Sequence, residues 1–131
     1  MLYMKKEVKN WLESAQYDLE TAKQMLNTGR YIYTIFMCHL AIEKILKAKV
    51  QEITDKTPPK THNLRYLVKL SNIEPSEEIL IFLSELSDVS IPTRYPEDFT
   101  ELRNSYGKKA ANNYYRKAEE AFKWIKKSVK S

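Results

Sequence analysis

Residues 31–48 read YIYTIFMCHLAIEKILKA, and the fold turns on whether this stretch is a strand or a helix. Between Tyr31 and Ile42 only Thr34 and His39 interrupt the apolar run. Its β-branched and aromatic content suits a strand well enough. Length, and the continuation into the strong helix formers Glu43-Lys44-Ile45-Leu46-Lys47-Ala48, decide for a helix. A helix that is apolar all round is covered on several sides. Residues 31–52 are therefore expected to form the central helix of a bundle.

Upstream, residues 4–27 place Val8, Trp11, Leu12, Ala15, Leu19, Ala22 and Leu26 at steps of three and four, the period of an amphipathic helix. Gly29 then stands where a left-handed helix end is wanted. Downstream, Thr54 to Thr61 contains Pro58-Pro59 and reads as a loop. A short helix is expected over residues 63–70, with Leu64, Leu67 and Val68 on one face and Thr61 or Asn63 as its cap. Another is expected over 76–87, carrying Ile79, Phe82, Leu83 and Leu86. Residues 89–106 hold Pro92 and Pro96 with little periodicity and read as a long ordered loop. The last helix, 108–130, turns Ala111, Tyr114, Tyr115, Ala118, Phe122, Ile125 and Val129 inward. The expected architecture is all-α, an up-and-down bundle of four to five helices in a single domain over residues 1–131. Its core should include Trp11, Leu19, Ile35, Leu40, Ile42, Leu46, Phe82, Phe122 and Ile125.

A chain of 131 residues fits one domain and can bury a core without covalent staples. Two glycines, Gly29 and Gly107, cannot write a Walker or Rossmann phosphate loop. Cys38 stands alone, which excludes an internal disulfide and a multi-cysteine metal site and points to a reducing cytoplasm. Neither a membrane-length apolar run nor a signal-peptide core is present, so no membrane partner is expected. The net charge of +5 is unevenly placed: residues 103–131 carry +7 and residues 1–102 carry −2. That basic segment reads either as a footprint for phosphate-bearing partners or as a solvated lysine-rich face.

The residues that carry chemistry are few. No Glu-x-x-His pattern exists, so a carboxylate-bridged metal pair is unsupported. His39 and Glu43 are four apart and could supply two metal ligands, but nothing nearby supplies a third; neither metal nor cofactor is expected. Cys38 and His39 cannot form a nucleophile–base pair, because helical neighbours point about 100° apart. His39, Glu43 and Lys47 share one stripe of the central helix, with Lys44 beside it. They form either a Glu43–Lys47 pair reaching solvent or the polar wall of a cleft. In Arg94-Tyr95, flanked by Pro92 and Pro96, the guanidinium could grip a phosphate while the ring stacks a base. Alternatively, Arg94 neutralises Glu43 and Tyr95 plugs the core.

The ordered set Trp11…Ala15…Asp18-Leu19…Ala22, Gly29-Arg30-Tyr31, Cys38 to Ala48, Thr61-His62-Asn63-Leu64 and Arg94-Tyr95-Pro96 resembles the HEPN domain family over about residues 8–127. The resemblance implies a helical bundle that forms a homodimer. It implies a nucleotide- or nucleic-acid-associated accessory, often encoded beside a minimal nucleotidyltransferase as a toxin–antitoxin-like pair. It also implies Glu43, Lys44, Lys47, His62, Arg94 and Tyr95 as the ligand-binding set. Many members are metal-independent ribonucleases with an arginine, four to six residues and a histidine near the final helix. Here the last histidine is His62, so Arg94, Arg103 and Arg116 have none after them. No catalytic residue is therefore expected. The alternatives are a ribonuclease built on His62 with Arg94 and a non-catalytic protein-interaction module.

Overall fold

The computed structural model describes residues 4–130, and these form six helices with no strand among them. They are α1 (Lys6–Asn27), α2 (Tyr31–Thr54), α3 (Leu64–Ser71), α4 (Glu77–Arg94), α5 (Phe99–Ser105) and α6 (Lys108–Ser128). As the apolar run implied, α2 is the axis and touches every other helix. From Ile32 to Gln51 it buries residues on nearly all sides, with Ile35, Cys38, Ala41, Ile42, Ile45, Leu46 and Ala48 fully enclosed.

The turn between α1 and α2 follows from Gly29. Its φ of 80° lies in the left-handed region. That lets the amide of Arg30 donate to Met25 O at 2.8 Å and the amide of Gly29 donate to Leu26 O at 3.3 Å. Two otherwise orphaned carbonyls of α1 are thereby satisfied and the chain reverses. Asn63, not Thr61, caps α3 through its side-chain oxygen; Ser76 caps α4 and Asp98 caps α5 in the same way. At the far end, Lys49 Nζ donates to Ser128 O at 2.7 Å and Glu52 accepts from the amide of Lys130 at 2.6 Å. These contacts tie the end of α6 to α2.

The stretch 89–106 is not the long loop that its prolines and weak periodicity suggest. Helix α4 runs through Pro92 to Arg94, and α5 follows after four residues. The buried face of α4 continues from Phe82, Leu83 and Leu86 to Val89, Ser90 and Thr93, still at helical spacing. Serine and threonine carried the inward face, so hydrophobicity did not reveal it. Ser90 Oγ donates to Ser87 O at 2.7 Å and Thr93 Oγ1 to Val89 O at 3.0 Å, so these buried hydroxyls are satisfied locally. Six of the nine expected core residues are buried. Trp11, Leu19 and Leu40 are only partly so.

Candidate functional site

The polar stripe of α2 faces the segment that leads into α3. His39 is fully enclosed, and Glu43 and Lys47 are 4% and 6% exposed. A carboxylate survives at such depth only when paired. Glu43 is held on both oxygens: Lys47 Nζ donates to Oε2 at 3.1 Å and His62 Nδ1 donates to Oε1 at 2.8 Å. The i,i+4 geometry of α2 supplies the first bond. The loop before α3 supplies the second by laying His62 across the stripe. Lys47 Nζ also sits 5.6 Å from the centroid of the Trp11 ring, which brings α1 into the cluster.

His39 orients His62 from below. Its Nε2 donates to the backbone oxygen of His62 at 3.0 Å. With that proton on Nε2, Nδ1 is a bare acceptor, 3.7 Å from Glu43 Oε1 and without a hydrogen-bond partner. Burial drives the His39 pKa down to about 4; Glu43 and the hydrogen bond to the His62 backbone oppose the shift, while the charges of Arg94 and His62 add to it. His39 is thus neutral at pH 7. The His62 ring is different in kind: its side chain is 57% exposed, Nδ1 is engaged by a buried carboxylate, and Nε2 has no protein partner among the described residues. Such a carboxylate–imidazole pair fixes the tautomer and presents Nε2 outward.

Arg94, the last residue of α4, completes the cluster from the other side. Its guanidinium carbon lies 4.9 Å from the Phe36 ring centroid, and its charge is felt by His39. It forms no ion pair with Glu43. One nitrogen, Nη2, is buried and has no hydrogen-bond acceptor. A buried guanidinium donor without a partner is costly. With Glu43 offset by Lys47, Arg94 leaves the site net positive, and it suits an anionic oxygen.

Of the six sequence-derived candidates, Glu43 bonds both Lys47 and His62, and Arg94 acts on His39 beside them. Lys44 turns away: its Nζ lies 2.8 Å from Asp18 Oδ2 and 2.9 Å from Ser14 Oγ on α1. Tyr95 also points elsewhere, 71% exposed, neither plugging the core nor facing His62. The ligand set implied by the resemblance lacks His39, although its spacing had placed it on the same stripe as Glu43 and Lys47, and Trp11, whose approach to Lys47 depends on how α1 crosses α2. No group of three metal-ligating side chains occurs among the described residues, and no described helix is long and apolar enough to cross a membrane.

The fold and sequence both have relatives. TT1696 from Thermus thermophilus superposes with a TM-score of 0.79 at 20% identity, over 95% of this chain and 100% of that one. ST0689, an archaeal HEPN homologue, superposes with a TM-score of 0.75 at 25% identity, over 94% and 98% of the two chains. No curated protein matches significantly in sequence. Residues 8–128 match the HEPN domain, nearly the whole of the bundle just described, and the chain therefore belongs to the HEPN domain family.

Proposed function

We propose that the His62–Glu43–Lys47 cluster with Arg94 binds a phosphate group of a nucleotide or RNA. In this reading the protein works as a homodimeric, non-catalytic accessory of a minimal nucleotidyltransferase, in a toxin–antitoxin-like pair. The observation that carries the ligand class is the buried, acceptor-less Nη2 of Arg94 in a site of net positive charge. A phosphate oxygen would satisfy that donor, and His62 Nε2, when protonated, would donate to a second oxygen. The homodimer is supported by one face of α2, where Tyr33, Met37 and Leu40 lie in a row and stay partly exposed. The half-burial of Leu40 suits a second chain laid on that row.

Titration calorimetry with nucleotides and short RNA, repeated over a salt series, tests the ligand. Arg94→Ala should weaken binding by about 10- to 100-fold, the worth of a charge-assisted bond, without lowering the unfolding temperature. Binding that fades steeply with salt and ignores Arg94 would instead come from the basic segment after residue 102, and would overturn the site.

A second reading has its own observation. The buried Glu43 carboxylate holds His62 Nδ1, which leaves Nε2 able to take a proton from a ribose hydroxyl while Arg94 stabilises the phosphate. This is a metal-independent ribonuclease with a non-standard pair. It predicts RNA cleavage in chelator that is lost in His62→Ala with the fold intact. If the wild-type protein does not cleave under those conditions, this reading fails.

A further inference from the structure

Arg94 and Tyr95 are neighbours in sequence but face different sites. Tyr95 lines a separate cavity of about 390 Å³ at the junction of α4 and α5. Ile91 and Tyr106 share its walls, and Glu97, Asp98 and Glu101 stand around it, with no lysine or arginine in the lining. Ile91 is 67% exposed, so an apolar and aromatic surface lies open to water. Asp98 is already used, since its Oδ1 accepts from the Glu101 amide at 3.0 Å. Neither Glu97 nor Glu101 has an ion-pair partner among the described residues. The cavity is thus lined by three carboxylates with no basic group to offset them.

We propose that this face docks an amphipathic segment of a partner protein, with apolar side chains flanked by lysine or arginine. Charge complementarity selects the occupant. The carboxylates repel a phosphate backbone and attract ammonium or guanidinium groups. The tyrosine ring faces add cation–π attraction. Ile91 and Tyr95 offer the apolar and aromatic contact that interface centres favour. The inference is independent of what binds at His62, because no hydrogen bond or ion pair among the described residues joins these side chains to that cluster.

The test uses the full chain labelled with nitrogen-15 and, as probe, a short helix-patterned Leu/Lys peptide. Its Leu/Glu counterpart and single-stranded oligouridylate serve as comparisons. The Leu/Lys peptide should shift amides within residues 91–106 saturably. The double variant Glu97→Lys/Glu101→Lys alters two exposed positions and leaves the cap of α5 in place. It should bind the Leu/Lys peptide at least about tenfold more weakly and gain affinity for the Leu/Glu peptide. Unchanged affinity in that variant, shifts outside 91–106, or equal binding of the Leu/Glu peptide by the wild-type chain would overturn the proposal. So would oligouridylate shifting the same amides. A dimer in sedimentation equilibrium that Ile91→Asp dissociates would assign the face to a second copy and overturn it as well.

Discussion

His39 is the residue whose burial has the plainest measurable consequence. Its pKa falls from 6.5 to about 4 in the folded chain, chiefly through desolvation. Between those values the unfolded chain binds a proton that the folded chain refuses, so stability falls as the pH drops through this window. The full effect is on the order of 3 kcal/mol, reached below pH 4. Urea unfolding from pH 7 to pH 4.5 should show the loss, and His39→Gln should reduce its pH dependence. A slope unchanged in the variant would overturn the assignment to His39. Cys38, one position earlier, has no such role: it is fully buried, and burial pushes its thiol up to about 12. At this scale the Glu43–Lys47 pair could be read from spacing. The Glu43–His62 bond could not, since its partners are nineteen residues apart and meet only where the loop before α3 returns to α2.

At the scale of elements, helix ends written in glycine and capping residues were legible, while a helix end hidden in polar residues was not. Gly29 shows the first kind. A Cβ built there meets nothing nearer than the Tyr31 hydroxyl at 3.9 Å, so space is not the constraint. The constraint is the φ of 80°. Gly29→Ala should therefore destabilise the protein by about 1–2 kcal/mol through backbone strain alone, measured by urea unfolding. No loss would mean that the turn relaxes to another conformation. The second kind is α4 beyond Ser87. Pro92 cannot donate a backbone hydrogen bond, which normally marks a helix end. Here the bond from the Tyr95 amide to Ile91 O, at 2.9 Å, shows the helix resuming past it. Burial of Val89, Ser90 and Thr93 holds that turn in place, and it delivers Arg94 to Phe36 and His39. Tertiary packing overrode the local signal. The functional side chain depends on that override.

For the molecule as a whole, α2 concentrates the stability. Leu46 is fully enclosed at the meeting of α2 with its neighbours, and truncation to alanine there should destabilise by about 2–5 kcal/mol. Denaturant unfolding of Leu46→Ala checks this; a loss below about 1 kcal/mol would mean that the core collapses around the gap. The all-α bundle, its central helix and most of its core were determined by the sequence alone. Helical periodicity and the scarcity of glycine are local properties, and every residue carries them regardless of its distant neighbours. The tertiary structure alone decided which polar groups met. Lys44 and Lys47 are three positions apart on one helix, yet one turns to Asp18 and the other to Glu43 and Trp11. Arg94 and Tyr95 are adjacent, yet one enters the basic cluster and the other an acidic cavity. A few degrees of helix rotation and the return path of a loop set such partnerships, and these arise from the packing of the whole chain.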